Sequence, residues 1–182
     1  SRKKIQAYKN KFVDKKAVII CNGPSLNDIN FDELKDVYTF GLNKINLLFD
    51  KKDFIPSCIV SVNQLVIEQN KEFFNATDIP LFLNYNALKE IKSREKISFL
   101  HSTKVKMFSK DVSYSINQGG TVTFVAMQLA YHMGFKEVAL VGCDHYFADK
   151  GRANKTVIAE DIDKNHFDPN YFSKGAKWQL PD

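Results

Sequence analysis

The chain has 182 residues, 26 Lys and Arg against 21 Asp and Glu, a net charge of +5, and 44% apolar residues. That is the composition of a soluble globular protein, long enough to bury about 70% of its unfolded surface in a single domain. No apolar run approaches the ~18 residues of a membrane span, and three cysteines without a CxxC speak against a disulfide framework or a structural zinc site.

Residues 1–16 carry seven cations and read as a basic N-terminal arm, a polar helix that either lies near anionic lipid or frays in solvent. No nucleic-acid partner is expected. No secretory signal opens the sequence, which points to a reducing, cytoplasmic compartment, with peripheral contact at the inner face of the membrane through the arm. A start at Ser1 and an end just after Trp178-Gln179-Leu180-Pro181 read as a segment excised from a longer protein.

Residues 17–146 read as a Rossmann-like core. Ala17 to Cys21 is a continuous apolar run, the pattern of a strand buried on both faces. It enters Asn22-Gly23-Pro24-Ser25-Leu26, where Gly23 and Pro24 allow a sharp turn and Ser25 is placed to cap a helix. That stretch is either an anion cradle or an ordinary strand-to-helix turn. A short helical stretch is expected around Phe31 to Leu34, and further strands at Val37–Leu42, Ser57–Val62, Pro80–Leu83 and Ile97–Leu100. Ile45 to Phe49 is helix or loop, Gln64 to Phe74 has helical spacing, and Ala87 to Ile91 begins another helix. Residues 102–117 read as irregular. Val122, Val125, Ala126, Leu129, Ala130 and Met133 form one apolar helix face, and Gly134 is placed to end it. A second fully apolar strand, Val138–Val141, ends at Gly142-Cys143-Asp144-His145-Tyr146. Residues 147–182 are polar, aromatic and loop-like, a tail or lid. The alternation predicts an α/β fold, a mostly parallel sheet with helices on both faces.

Ligands of such sheets bind beyond the carboxyl ends of the strands. Asn22, Asn43, Asn63, Asn84, His101 and Asp144 each follow an apolar run, so parallel strands would gather them along one edge. Asparagine amides there suit a base, ribose or sugar, although each alone also suits a turn. In the tail, Arg152, His166 and Tyr171 follow Asp144 and Tyr146 as groups able to move protons or stabilise a departing phosphate, His166 being either a base or a packing residue. There is no GxxxxGK[ST], GxGxxG or GxSxG motif, which disfavours the usual nucleoside triphosphatase, dinucleotide dehydrogenase and hydrolase designs. The adjacent Asp144 and His145 make a poor metal pair, since alternate strand side chains point apart.

Cys21 to Leu26, Phe40-Gly41-Leu42-Asn43, Asn63, the block Met133 to Val138 and Gly142 to Tyr146 resemble the bacterial lipooligosaccharide sialyltransferases, which use CMP-sialic acid. Asn-Gly-Pro-Ser-Leu also occurs in a wider hydroxymethylpterin pyrophosphokinase-like family of polysaccharide and flagellin-glycosylation proteins, and the tail from Asn165 to Phe172, with Trp178 and Pro181, is more similar to that one. The resemblance implies that Asn22, Gly23, Pro24 and Ser25 meet the nucleotide phosphate and ribose, and that Asn43 and Asn63 hold phosphate or sugar. It implies that Gly119, Gly120 and Thr121 approach the sugar or base, that Tyr146 bonds the leaving phosphate, and that His166 is the general base. Asp144, His145, Arg152 and Tyr171 complete the expected substrate contacts. The sialyltransferases have Thr-Ser-Gly and a nearby arginine where this chain has Gln118-Gly119-Gly120-Thr121, and Arg152 would stand in for a second phosphate-binding tyrosine.

The resulting expectation is a metal-independent glycosyltransferase with no cofactor beyond its donor. It would pass a sialic-acid-like sugar from a CMP-type nucleotide-sugar to a lipooligosaccharide, capsule or glycoprotein acceptor. The alternatives are a hydroxymethylpterin pyrophosphokinase using ATP and magnesium, and a non-catalytic nucleotide- or glycan-binding module.

Overall fold

The computed structural model describes residues 1–144, 146–149 and 151–180. In chain order its elements are α1 (Arg2–Gln6), β1 (Lys16–Ile20), β2 (Tyr38–Leu42), β3 (Cys58–Ser61), α2 (Gln64–Gln69), α3 (Lys71–Ala76), β4 (Leu81–Asn84) and β5 (Ile97–Leu100). There follow two-residue strands β6 (Ser102–Thr103) and β7 (Ile116–Asn117), then α4 (Val122–Met133), β8 (Glu137–Val141), β9 (Thr156–Ile158) and β10 (Lys177–Gln179). Short 3-10 turns at Pro24–Asp28, Phe31–Leu34, Ile45–Leu48 and Tyr85–Lys89 take the place of several expected helices.

Six strands form one parallel sheet in the order β5-β4-β3-β2-β1-β8. The α/β, Rossmann-like fold expected from the alternation of strands and helices is the one observed. Strand order runs outward from β1 in one direction and jumps to β8 in the other, so the topological switch lies between β1 and β8. In open parallel sheets the ligand crevice lies at the carboxyl ends of such a pair.

Alternate side chains divide the core into two layers. Ile19, Phe40, Val60 and Phe82 face α4 through Val125, Ala126, Leu129 and Met133. Thr121 caps α4 by accepting the Thr123 N–H, and Gly134 ends it in the left-handed region at φ 88°, as the apolar spacing predicted. The opposite layer joins Ile20, Ile59, Leu81 and Leu83 to Phe74, Phe167, Tyr171, Phe172, Trp178 and Leu180. Much of the tail is therefore core, and β9 and β10 pair antiparallel within it.

Three other features differ from the sequence reading. The basic arm is packed: Ile5 is buried, Tyr8 meets the Phe82 ring edge-on, and Phe12 stacks on Phe135 at 4.9 Å. Apolar residues at 5, 8 and 12 give the arm an inward face that its cations masked. The helical stretch from Gln64 splits at Asn70, whose side chain donates to Asn46 Oδ1. The second apolar strand, β8, is a sheet edge, with Val138 37% and Leu140 40% exposed. Its apolar run matches a buried strand, yet among the described residues only β1 pairs with it.

Candidate functional site

Beyond the β1 end, Asn22 to Ser25 form the first wall of the switch-point crevice. Gly23 has no room for a side chain, because a Cβ there would overlap the Asp144 carboxylate. That carboxylate, arriving from the end of β8, accepts the Ser25 N–H at 2.8 Å. The turn N–H expected to meet phosphate is thus engaged by Asp144, and an incoming anion would have to turn Asp144 away. Asn22 is 9% exposed, and its buried Oδ1 has no hydrogen-bond partner among the described residues. An orphaned buried amide oxygen costs about 1–3 kcal/mol unless a ligand or water engages it.

The second wall is the tail. Phe167 N–H donates to Asn22 O at 2.9 Å, and Asn27 Nδ2 donates to Phe167 O at 3.0 Å, so the tail straps across the β1 end. This sets Phe167, the residue after His166, against the Asn22 backbone. His166 Nδ1 lies 2.8 Å from Asp163 Oδ2. An ionised carboxylate can only accept, so Nδ1 carries a proton, and in the neutral imidazole it is Nε2 that holds the lone pair. The side chain of Asp163 is 4% exposed and that of His166 15%, leaving the imidazole the member open to solvent. The Asn165 N–H holds the other Asp163 oxygen at 2.8 Å. The His166 ring stacks on Tyr171 at 3.9 Å, parallel within 1°, and meets Phe172 edge-on. Orientation by a carboxylate on one side and packing on the other is the arrangement a general base requires. A cavity of about 440 Å³ borders Asp163, lined also by Asp149, Asn165, Phe172 and Trp178.

Lys44, at the β2 end, ties the strap down. Its Nζ donates to Tyr171 O and Gln69 Oε1, each at 2.7 Å, and lies over the Phe172 ring. Burial pulls the ammonium down to about 8, against the opposing attraction of Asp163. A lysine whose folded value lies below its unfolded one binds fewer protons when folded, so stability rises with pH across that window. Wild type should therefore gain stability relative to Lys44→Met between about pH 8 and pH 10.5. Paired melting curves over this range measure it, and a constant difference would contradict it.

The other expected contacts divide. Asn43 has φ 51° and accepts the Ser61 hydroxyl, so it faces the β2 and β3 ends near the strap. Asn63 is committed to structure: its Oδ1 caps α2 through the Leu65 and Val66 N–H groups, and its Nδ2 donates to Gln179. Asn84 likewise accepts the Asn86 N–H, and His101 is exposed. Tyr171 is buried, with its hydroxyl accepting the Lys44 N–H, so it supports His166 and does not offer a free hydroxyl to substrate. Gly119 and Gly120 take φ 56° and 81°, leading through Thr121 to the α4 N-terminus. A 3.6 Å contact from Cys21 Sγ to Thr123 Oγ1 brings that end beside β1. Tyr146 is 74% exposed two residues after Asp144. Arg152 lies in an exposed turn with no ion pair to the strand-end residues among those described. His145 lies outside the described residues.

Asp163 and Lys44 escaped the sequence reading. Asp163 is one of several aspartates in a stretch without periodicity, so its spacing from His166 did not mark it. Nothing distinguished Lys44 from the other lysines.

A parallel sheet with a carboxylate-held histidine, a buried amide and a glycine loop near its strand ends defines a Rossmann-like protein whose candidate site lies at those ends. The chain belongs to the MptE-like family: a family model described as 6-hydroxymethylpterin diphosphokinase MptE-like matches residues 1–150. Asp163 and His166 lie beyond that span. No curated protein and no solved structure matches the chain.

The family description raises magnesium, the usual companion of ATP. Of the carboxylates at the strand ends, Asp144 is engaged by Ser25 N–H and Asp163 by His166. Among the described residues no group of three or more His, Cys, Asp or Glu converges as a metal site.

Proposed function

We propose that this site activates a hydroxyl for attack on a nucleotide-linked group, and that the group transferred is a sugar, sialic-acid-like, from a CMP-type donor to a surface-glycan acceptor. The observation that carries this reading is His166, held through Nδ1 by Asp163 on a strap whose next residue, Phe167, is bonded to the backbone of Asn22, the residue with the unpartnered buried amide oxygen. In the step proposed, Nε2 takes the acceptor hydroxyl proton as its oxygen bonds to the anomeric carbon. The bond from that carbon to the phosphate oxygen breaks, and CMP leaves with the electron pair. Asn22 and the N–H groups entering α4 would receive the nucleotide, and Tyr146 the leaving phosphate. What supports the sugar is the set of motifs shared with the sialyltransferases.

The family description favours a second reading, in which the same base deprotonates a hydroxymethylpterin alcohol that attacks the β-phosphorus of ATP. One assay separates the two. Acceptor-dependent CMP release from a CMP-linked sugar is the expected result. AMP release from ATP with hydroxymethylpterin, without CMP release, would replace glycosyl transfer by pyrophosphoryl transfer.

A further inference from the structure

Charge is distributed unevenly along the chain. Residues 1–16 and 101–136 hold eleven of the 26 cations but only Asp14 and Asp111 among the 21 acids. The fold brings these two segments together. Asn10 and Phe12 N–H groups donate to the His132 and Met133 carbonyls at the end of α4, and Lys9 pairs with Asp111 at 2.6 Å. Arg2 lies 4.0 Å over the Tyr114 ring. The loop from residue 104 to 115 is held in place by the buried Gln128 of α4. Its Oε1 accepts the Ser109 and Asn117 N–H groups, and its Nε2 donates to the Asn117 and Phe124 carbonyls. Asn117 Nδ2 in turn holds Val105 O at 2.7 Å.

This anchored loop presents Lys104-Val105-Lys106-Met107-Phe108, with Lys110 beyond, outward. Val105 is 58% exposed, Met107 60% and Phe108 37%, and Phe108 leans on the rings of Phe124 and Tyr131. Lys104, Lys106 and Lys110 make no ion pair among the described residues, and Asp111 is already taken by Lys9 and Ser113. Aliphatic and aromatic side chains interleaved with free lysines suit the boundary between headgroups and acyl chains, where apolar tips enter and ammonium groups meet lipid phosphate.

We propose that this face docks the protein on an anionic lipid bilayer, with the 104–110 loop as its insertion point. The patch adjoins the candidate site: Phe124 fills the space where a Gly119 side chain would lie, and Gly119 opens the loop into α4. Docking here would bring the strand-end crevice to a hydroxyl acceptor carried on a membrane lipid. That last clause rests on the hydroxyl-activating reading above; the docking itself does not.

Sedimentation of the full chain with vesicles tests it without any catalytic readout. Vesicles of phosphatidylcholine with about 30% phosphatidylglycerol should carry the protein down, pure phosphatidylcholine should not, and about 0.5 M salt should release it. Joint replacement Lys104→Glu, Lys106→Glu and Lys110→Glu should weaken binding by at least about a hundredfold with the melting temperature retained. Met107→Ser with Phe108→Ser should weaken it several-fold and leave the salt dependence unchanged. A chain that stays in the supernatant with anionic vesicles, or binds equally well after charge reversal, overturns the proposal. So does tighter binding to duplex DNA than to the vesicles at equal salt. Loss of sugar transfer with vesicle binding intact would sink the catalytic reading and leave docking standing.

Discussion

His166→Ala is expected to lower acceptor-dependent nucleotide release by about 10²- to 10⁴-fold, the usual contribution of a positioned general base. KM for the donor should change little, because Asn22 and the loop into α4, not the imidazole, would hold the nucleotide. The substitution also removes a ring stacked on Tyr171, worth about 0.5–1.5 kcal/mol beyond its buried area. The fold should survive, since Phe167 and Tyr171 stay anchored through their own bonds to Asn22, Asn27 and Lys44. Wild-type rates in this variant, with a confirmed acceptor, would remove His166 from the mechanism.

Asp163→Asn should cost nearly as much, for a different reason. The asparagine oxygen can still accept the Asn165 N–H, so the strap keeps its local geometry. Its amide, however, would donate to His166 Nδ1, driving the ring proton to Nε2. The base would then present a hydrogen where the acceptor needs a lone pair, and the loss should again reach roughly 10²- to 10⁴-fold. Because the two side chains act as a unit, Asp163→Asn in the His166→Ala background should have almost no further effect. Multiplied losses in the double variant would mean that Asp163 serves substrate by a separate route. Asp163 also attracts the Lys44 ammonium, so its neutralisation should loosen the strap slightly, which melting curves will separate from the kinetic effect.

Much of the architecture was legible because it follows from local pattern. The apolar spacing of Val122 to Met133 and the glycine after it specify α4 with little help from the rest of the chain. The run Ala17 to Ile20 specified a buried strand because both of its faces are covered. The same logic misjudged β8: Val138 to Val141 has the pattern of a doubly covered strand, but strand order is a global property and placed it at an edge. The site was legible in outline only. Strand-end asparagines marked the edge, yet Asn63 and Asn84 stand directly before helical turns at Gln64 and Tyr85, and their side-chain oxygens cap N–H groups two or three residues on. His166 could be singled out as an ionisable group in the tail. Its partner could not, because the stretch around it also holds Asp161 and Asp168 and has no periodicity to rank them. The burial of Tyr171 was hidden for a related reason: a polar, aromatic segment reads as loop until its aromatics are seen packed beneath the sheet.

The catalytic reading depends on the β1–β8 switch point receiving a nucleotide through Asn22. Calorimetric titration of wild type and Asn22→Ala with CMP, UMP, GDP and AMP tests it most directly. The expected result is saturable binding of CMP by wild type at millimolar concentration or below, weakened by about fivefold or more when the amide is removed. Absence of binding heat for all four nucleotides, or equal affinity in Asn22→Ala, would contradict it.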